Sequence, residues 1–533
     1  MSQVGDAVAS SARGGLITFL GGTFAAMIGA VGTLFVAGLL SPSDYGLYTL
    51  ALLPELLFVI LSDWGINSAV TRYIARYRSN NMAWKTRRLV RIALLFKIAS
   101  STLISFGLFL GAPWVATVLM NRPTLTPYIQ FTAISIFFHT LYTTSLAIFA
   151  GYEQMGRRAM VNVIQSVIKA LLSLMLILLG YGVTGAILGH AVSFIIGGSL
   201  AALLAIRSSN IPLTSITQRH IGYQELLTMM TRFGIPIFIG NAIGNMINQF
   251  RGVLLPWFIS NELIGNYDVA FRFGMLTGVL AEAIRVTLYP TYSKFSHSLH
   301  PANTRIIYRE SVRYVALLIV PWALVLASLS QPLIFALFGS RYPYAPQYLA
   351  LLLLPSLLAS IGYLCNGNFL NSQGETRTTF KIELVRFGVS IALTPLFLYF
   401  VGLEGFILAN LGAHTIATLV GLYFIQNKFQ VRPDFRKNGR IFLTGLATAI
   451  VIYGIQYVLF PLLPSLIIIF IGLFSYLLFF LVLAPFVGAI DSTDVKTLTS
   501  LLRDLKWLRP VIQFILRFET KILTIAQPSR NTT

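Results

Sequence analysis

The chain is written twice. Sliding it against itself by 219 residues places Arg13, Gly15, Phe19 and Gly21 on Arg232, Gly234, Phe238 and Gly240. The same register places Ser41, Gly46, Tyr48 and Ala51 on Ser260, Gly265, Tyr267 and Ala270. With the offset one residue longer, Gly182, Gly185, Ile187 and Leu188 fall on Gly402, Gly405, Ile407 and Leu408. A repeat of this length means that each half folds as a bundle of its own, and two alike halves can rock about one shared site.

The medium those bundles occupy follows from apolarity. Of 533 residues 56% are hydrophobic and 11% charged, with a mean hydropathy of +0.75, outside the range of water-soluble chains. Stretches long enough to span a bilayer, which takes about 20 residues each, occur at 14–40, 45–71, 92–120, 128–150, 159–179, 184–206, 233–258, 266–292, 314–338, 346–370, 379–400, 405–426, 441–460 and 465–488. The expected fold class is therefore an all-α polytopic membrane protein of fourteen helices: two parallel six-helix repeats and a C-terminal pair. The expected organisation is a lobe at 1–206, a linker at 207–224, a second lobe at 225–426, the helix pair at 441–488 and a tail at 491–533. In that tail, leucines and isoleucines from Leu498 to Ile515 recur at helical spacing among basic residues and Trp507. The pattern suits a helix lying on an anionic leaflet, or an ordinary helix packed on the loops.

A net charge of +21 would suit a nucleic-acid partner if it were clustered. It is instead sorted by loop: 32 of the 39 Lys and Arg fall in alternate loops that share the side of the N-terminus, against Arg122 and Arg341 in the intervening ones. That asymmetry is the positive-inside rule; it puts both termini in the cytoplasm of a plasma-membrane protein and excludes nucleic acid as the partner. The first apolar stretch is too long for a signal sequence and is expected to be kept as helix 1. The single cysteine, Cys365, excludes a disulfide framework or cysteine metal cluster.

Enzyme motifs are missing. The chain has no phosphate-binding Gly-Lys-Ser/Thr loop and no His-Glu-x-x-His, and its outer loops, such as Ser41 to Asp44 and Gly180 to Val183, are little more than turns. No catalytic residue, metal or cofactor is expected, and any work against a gradient must draw on ions or on the substrate's own gradient.

Charges inside apolar helices are costly unless paired or hydrated, so they nominate functional residues. Helix 2 carries Glu55 and Asp63, helix 5 Lys169, helix 7 Arg251, and helix 8 Asp268, Arg272, Glu282 and Arg285. Asp268 with Arg272 and Glu282 with Arg285 can neutralise each other on one helix face, and Lys169 can snorkel to the basic side. Glu55 follows Pro54 and has no basic residue three or four positions away; Arg251 is alone. Under the repeat, Arg251, Arg272 and Arg285 fall on Gly32, Leu53 and Ile66, while Asp63 falls on Glu282. One wall of the central cavity is thus expected to be cationic, and guanidinium groups suit paired phosphate oxygens. Asn241, Asn245, Asn248 and Gln249, with the glycines of helices 1 and 7, form either interhelical glue or a sugar-binding wall. Glu55, Asp63 and Glu282 are the candidates for ion coupling, with H+ and Na+ both open. His139, His190 and His414 lie inside spans, where a histidine can titrate, although a lone one there is more often a satisfied hydrogen-bonding residue.

The segments Leu-Ser-Pro-Ser-Asp-Tyr-Gly-Leu-Tyr at 40–48 and Asp-Trp-Gly-Ile-Asn-Ser-Ala-Val-Thr-Arg-Tyr-Ile-Ala-Arg-Tyr at 63–77, with the six-six-two layout, resemble the Wzx-type polysaccharide-biosynthesis flippases. Those belong to a superfamily with multidrug extruders and lipid II flippases. The resemblance implies a bundle alternating between inward-open and outward-open states that moves a polyprenyl phosphate- or pyrophosphate-linked oligosaccharide to the outer leaflet. Its partners would be that glycan, membrane lipids and glycosyltransferases. A multidrug extruder of the same superfamily, or a membrane-embedded glycosyltransferase or polymerase, are the alternatives.

Overall fold

The computed structural model describes the backbone of residues 2–209, 222–295 and 301–491, and their side chains apart from 2–20, 240–251, 283, 286–287 and 289–291. The linker at 210–221 and the tail helix expected after residue 491 lie outside the described residues. Every regular element among the described residues is a helix. Residues 1–268 and 269–533 form two compact units.

The first unit holds α1 (Ser2–Leu39), α2 (Pro42–Leu61), α3 (Ile66–Ser79), α4 (Ala83–Trp114), α5 (Thr126–Gly151), α6 (Met155–Leu176), α7 (Gly182–Ser208), α8 (Tyr223–Phe258) and the start of α9 (Asn261–Ser293). The second holds the rest of α9, then α10 (Pro301–Ser328), α11 (Ser330–Phe338), α12 (Ala345–Leu357), α13 (Asn366–Ser372), α14 (Thr376–Val401), α15 (Leu403–Phe429), α16 (Phe435–Leu459) and α17 (Ser465–Val487). Among the described residues, ten stretches are long and apolar enough to cross a membrane, or eleven when α12 and α13 count as one bent span. The longest of the ten, Met155–Ser208, is a hairpin in which Gly180, at φ 91°, turns α6 back onto α7. Helices α8 and α9 have 36 and 33 residues, long enough to cross, but carry amides and charges. All fourteen expected spans coincide with helices, three of them broken.

The breaks have local causes. The span expected at 45–71 stops at Leu61 because Trp64 and Gly65 take positive φ, 50° and 72°. The span at 314–338 divides at Leu329. The span at 346–370 bends by 47° between α12 and α13, where Gly362 sits at φ 97°.

The duplication is visible in backbone detail. Gly182 and Gly402, repeat mates, open α7 and α15 from the same region of φ/ψ (52°, −130° and 72°, −144°), which only glycine occupies at low cost. The turn after α5 is closed by a Gln154 N–H bond to the Phe149 carbonyl at 2.8 Å, and the turn after α13 by Glu375 N–H to Leu370 at 2.9 Å.

Packing inside each unit uses the small residues. Helix α1 runs along α6, with Gly21 against Ala159 and Gly32 against Ala170 so closely that a Cβ would fall 2.4 and 2.6 Å from the alanine Cβ. Those two glycines therefore serve close helix approach. In the second unit α10 is the central helix, packed by α12 and α16, and α17 lies outside against α11 and α16 with Leu466, Phe470 and Phe474 exposed, as a lipid-facing helix requires.

Candidate functional site

The second unit contains a cavity of about 450 Å3 built around the α12–α13 break. Irregular backbone inside a membrane bundle is tolerated where it lines such a space. Helix α9 supplies Arg285, α13 supplies Asn368 and Asn371, α14 supplies Glu383 and Arg386, and α15 supplies His414. A second cavity, of about 350 Å3, shares Arg285, Tyr363, Leu364 and His414 and runs along α9 past Gly274, Gly278 and Glu282.

Both arginines are held by a glutamate one turn back. Arg285 Nη1 lies 3.1 Å from Glu282 Oε2, with both side chains more than half exposed, so the pair is weak and can yield to a ligand. Arg386 Nε donates to Glu383 Oε2 at 2.8 Å. A guanidinium has five N–H donors and one carboxylate takes at most two, so donors remain for an anion. Asn368 Nδ2 donates to the Arg285 carbonyl at 3.0 Å and joins α13 to α9. Asn366 is structural: it accepts from Tyr308 Oη at 2.7 Å and donates to the Thr418 carbonyl at 3.2 Å.

The first unit buries a different cluster. Glu55 on α2 is fully buried; His139 Nδ1 on α5 lies 2.9 Å from its Oε1 and His190 Nε2 on α7 lies 2.9 Å from its Oε2. The His139 ring stacks on Phe194, centroids 3.8 Å apart. Glu55 thus has no partner along its own helix but two across the bundle, and the two histidines share one carboxylate. Among the described residues no set of three or more His, Cys, Asp or Glu is placed to hold a metal ion.

Asp63 is engaged elsewhere. Lys97, fully buried on α4, meets Asp63 Oδ1 at 2.7 Å and the carbonyls of Ser62 and Asp63 at 3.1 Å each. The ammonium caps the open carbonyl end of α2, the end created by the Trp64–Gly65 break.

Of the residues nominated from sequence, Arg285 lines both cavities, Glu282 lines one, and Arg272 lines neither. The side chains of Arg251, Asn241, Asn245, Asn248 and Gln249 lie outside the described residues. Asp268 accepts from Tyr45 Oη at 2.5 Å, and Lys169, half-buried on α6, interacts electrostatically with His190. Sequence reading missed Lys97 altogether and placed Arg386 with the loop cations. It also passed over Asn366, Asn368 and Asn371, although three amides within six residues of one span were a legible signal.

A duplicated helical bundle with a broken helix over a polar cavity is the architecture of a multi-pass membrane transporter. The chain belongs to the polysaccharide biosynthesis protein family, whose model matches residues 11–296. It is 19% identical over 490 residues, 92% of this chain and 99% of the relative, to a Haloferax volcanii protein named "Probable low-salt glycan biosynthesis flippase Agl15". It is 22% identical to the Bacillus subtilis lipid II flippase MurJ, covering 76% of this chain and 78% of that one. Among solved structures, a lipid II flippase MurJ in an inward closed conformation has a TM-score of 0.67 at 16% identity, covering 87% of this chain and 98% of the other. An inward-facing multidrug resistance MATE transporter has a TM-score of 0.61 at 15% identity, covering 76% and 94%.

Proposed function

We propose that the protein is a flippase that carries a polyprenyl phosphate- or pyrophosphate-linked oligosaccharide from the inner to the outer leaflet of the plasma membrane, for surface polysaccharide or glycan assembly. It works by alternating access, with both termini in the cytoplasm and with lobes at 1–206 and 225–426. The observation that carries this reading is the cavity at the α12–α13 break, where Arg285 and Arg386 present guanidinium donors beside Asn368 and Asn371. Guanidinium suits a phosphate and amides suit sugar hydroxyls. Moving a lipid head needs a wet polar chamber and no covalent step, while the prenyl tail stays in the bilayer. The flippases among its relatives support the same reading.

Arg251, Arg272 and the amides of α8 remain nominated as substrate-binding residues. Ion coupling is assigned first to Glu55. Asp63, committed to Lys97, and Glu282, committed to Arg285, are weaker nominees. Glycosyltransferases that build the lipid-linked sugar are the natural partners. The multidrug extruder shares the fold, but cationic drugs would meet arginines; a glycosyltransferase would require a catalytic site that no motif supplies.

The test uses proteoliposomes carrying a fluorescent polyprenyl pyrophosphate sugar, with flipping read by quenching of the outer leaflet. The double variant Arg285→Ala/Glu282→Ala, which leaves no orphaned acid, should lower the rate about 10-fold or more, as expected when hydrogen bonds to a charged group worth about 1.5–3 kcal/mol are lost. Wild-type flipping by Arg285→Glu/Arg386→Glu, or wild-type protein that extrudes cationic dyes and moves no lipid-linked sugar, overturns the proposal.

A further inference from the structure

The cluster of Glu55, His139 and His190 has a coordination that selects its ligand. Each carboxylate oxygen of Glu55 has an imidazole nitrogen at 2.9 Å. With the carboxylate charged, each ring donates an N–H, and both oxygens are occupied. A hard cation such as Na+ needs several open oxygens, and here it would first have to displace two buried rings. The opposite face of His190 is different: with Nε2 donating, Nδ1 is a bare acceptor, buried and without a hydrogen-bond partner among the described residues. Nδ1 is therefore the basic nitrogen of that ring left open to a proton, and the carboxylate on the other side of the ring is what favours the charged form.

We infer that this cluster is a binding site for a single proton, loaded at His190 Nδ1, and that it is the seat of ion coupling in the proposed flippase. The inference rests on that reading for its role in transport, and on geometry alone for the proton. Proton addition turns His190 into an imidazolium whose Nε2–H already points at Glu55, so the new charge is paired where it forms. A second proton would leave uncompensated positive charge in the membrane interior. The charged and titratable groups facing the cluster from neighbouring elements are Tyr142, in edge contact with His139 on α5, and Lys169 on α6. The site joins α2, α5 and α7, with Pro54 beside Glu55 freeing α2 to bend. Loading changes the hydrogen-bond strength between those three helices, which is what a coupling site must do.

The decisive measurement is infrared difference spectroscopy of purified protein across an acid titration that starts at about pH 8, where an ordinary imidazole is neutral. Wild type should show an imidazole-protonation band that is lost in His190→Gln, which retains a side-chain N–H for Glu55, and altered in Glu55→Gln. Addition of Na+ at constant pH should change nothing. In proteoliposomes, a pH gradient at symmetric Na+ should accelerate flipping by wild type and not by His190→Gln. Two results overturn the proton site: a band unchanged in His190→Gln, or a Na+-induced change that requires Glu55. A proton band at His190 in protein that flips nothing leaves the site standing and removes the flippase reading. Flipping indifferent to a pH gradient with the band present removes the coupling role alone.

Discussion

Lys97 Nζ has three N–H donors, and the fold gives each one an acceptor at the frayed end of α2. Nothing near Lys97 in sequence announces this; its partners are 34 and 35 positions away. Because the ammonium is fully buried and Asp63 is partly solvated, removing the cation leaves an acid that water can still reach. Lys97→Met should therefore cost about 3 kcal/mol, the low end for breaking a buried pair, and Lys97→Met/Asp63→Leu should recover part of it. Thermal unfolding in detergent measures both, and an unchanged Tm for Lys97→Met rejects the capping role. Glu375 gives a residue-scale pH prediction. Lys428 and Thr378 hydrogen-bond its carboxyl, and the ammonium holds it below the usual carboxylate range. A lowered carboxyl contributes stability above its unfolded pKa, about 4.3, and loses it as pH falls through the lower folded value. Acidification across that window should lower the Tm of wild type more than that of Lys428→Met.

Elements meet where glycine lets backbones touch. Gly46 at the start of α2 and Gly265 at the start of α9 are repeat mates. A Cβ on the first would lie 1.9 Å from the Asn261 carbonyl oxygen, and on the second 2.1 Å from that of Pro42. Gly65 and Gly234 make the same kind of contact between the α2–α3 turn and α8. Around the first crossing Arg122 donates to the Ile259 carbonyl at 2.9 Å and Trp257 Nε1 to that of Leu119 at 2.9 Å. Valine at position 46 or 265 must push two backbones apart, a cost of about 1–3 kcal/mol or more for overpacking. Gly111→Ala, where nothing lies within 4 Å, should be neutral or slightly stabilising. Comparable Tm changes in all three variants would remove the crossing as a structural constraint.

For the whole molecule the topology prediction is a labelling pattern. Asn438 sits among the basic residues but is buried, with Nδ2 on the Ser360 carbonyl, so Arg436, which is exposed, is the better reporter there. Cysteines at Asn81 and Arg436 should resist an impermeant thiol reagent on intact cells, and one at Asn121 should react; Cys365 is fully buried and can stay. Labelling at Asn81 or Arg436 reverses the charge-based orientation. The membrane class, the helix positions, the duplication and the sorting of basic residues are legible in sequence because each depends on composition over about 20 residues, or on spacing along one chain. Arg285 with Glu282 is legible for the same reason, being one turn apart on one helix. What the tertiary structure decided is which charges are shared between helices. Glu55 looks solitary along α2 yet is held by histidines 84 and 135 residues away, and Asp63 resembles it in sequence yet is spent on Lys97. Burial makes unpaired charge so costly that the bundle must bring such partners together, and their separation along the chain leaves no periodic signal from which to read them.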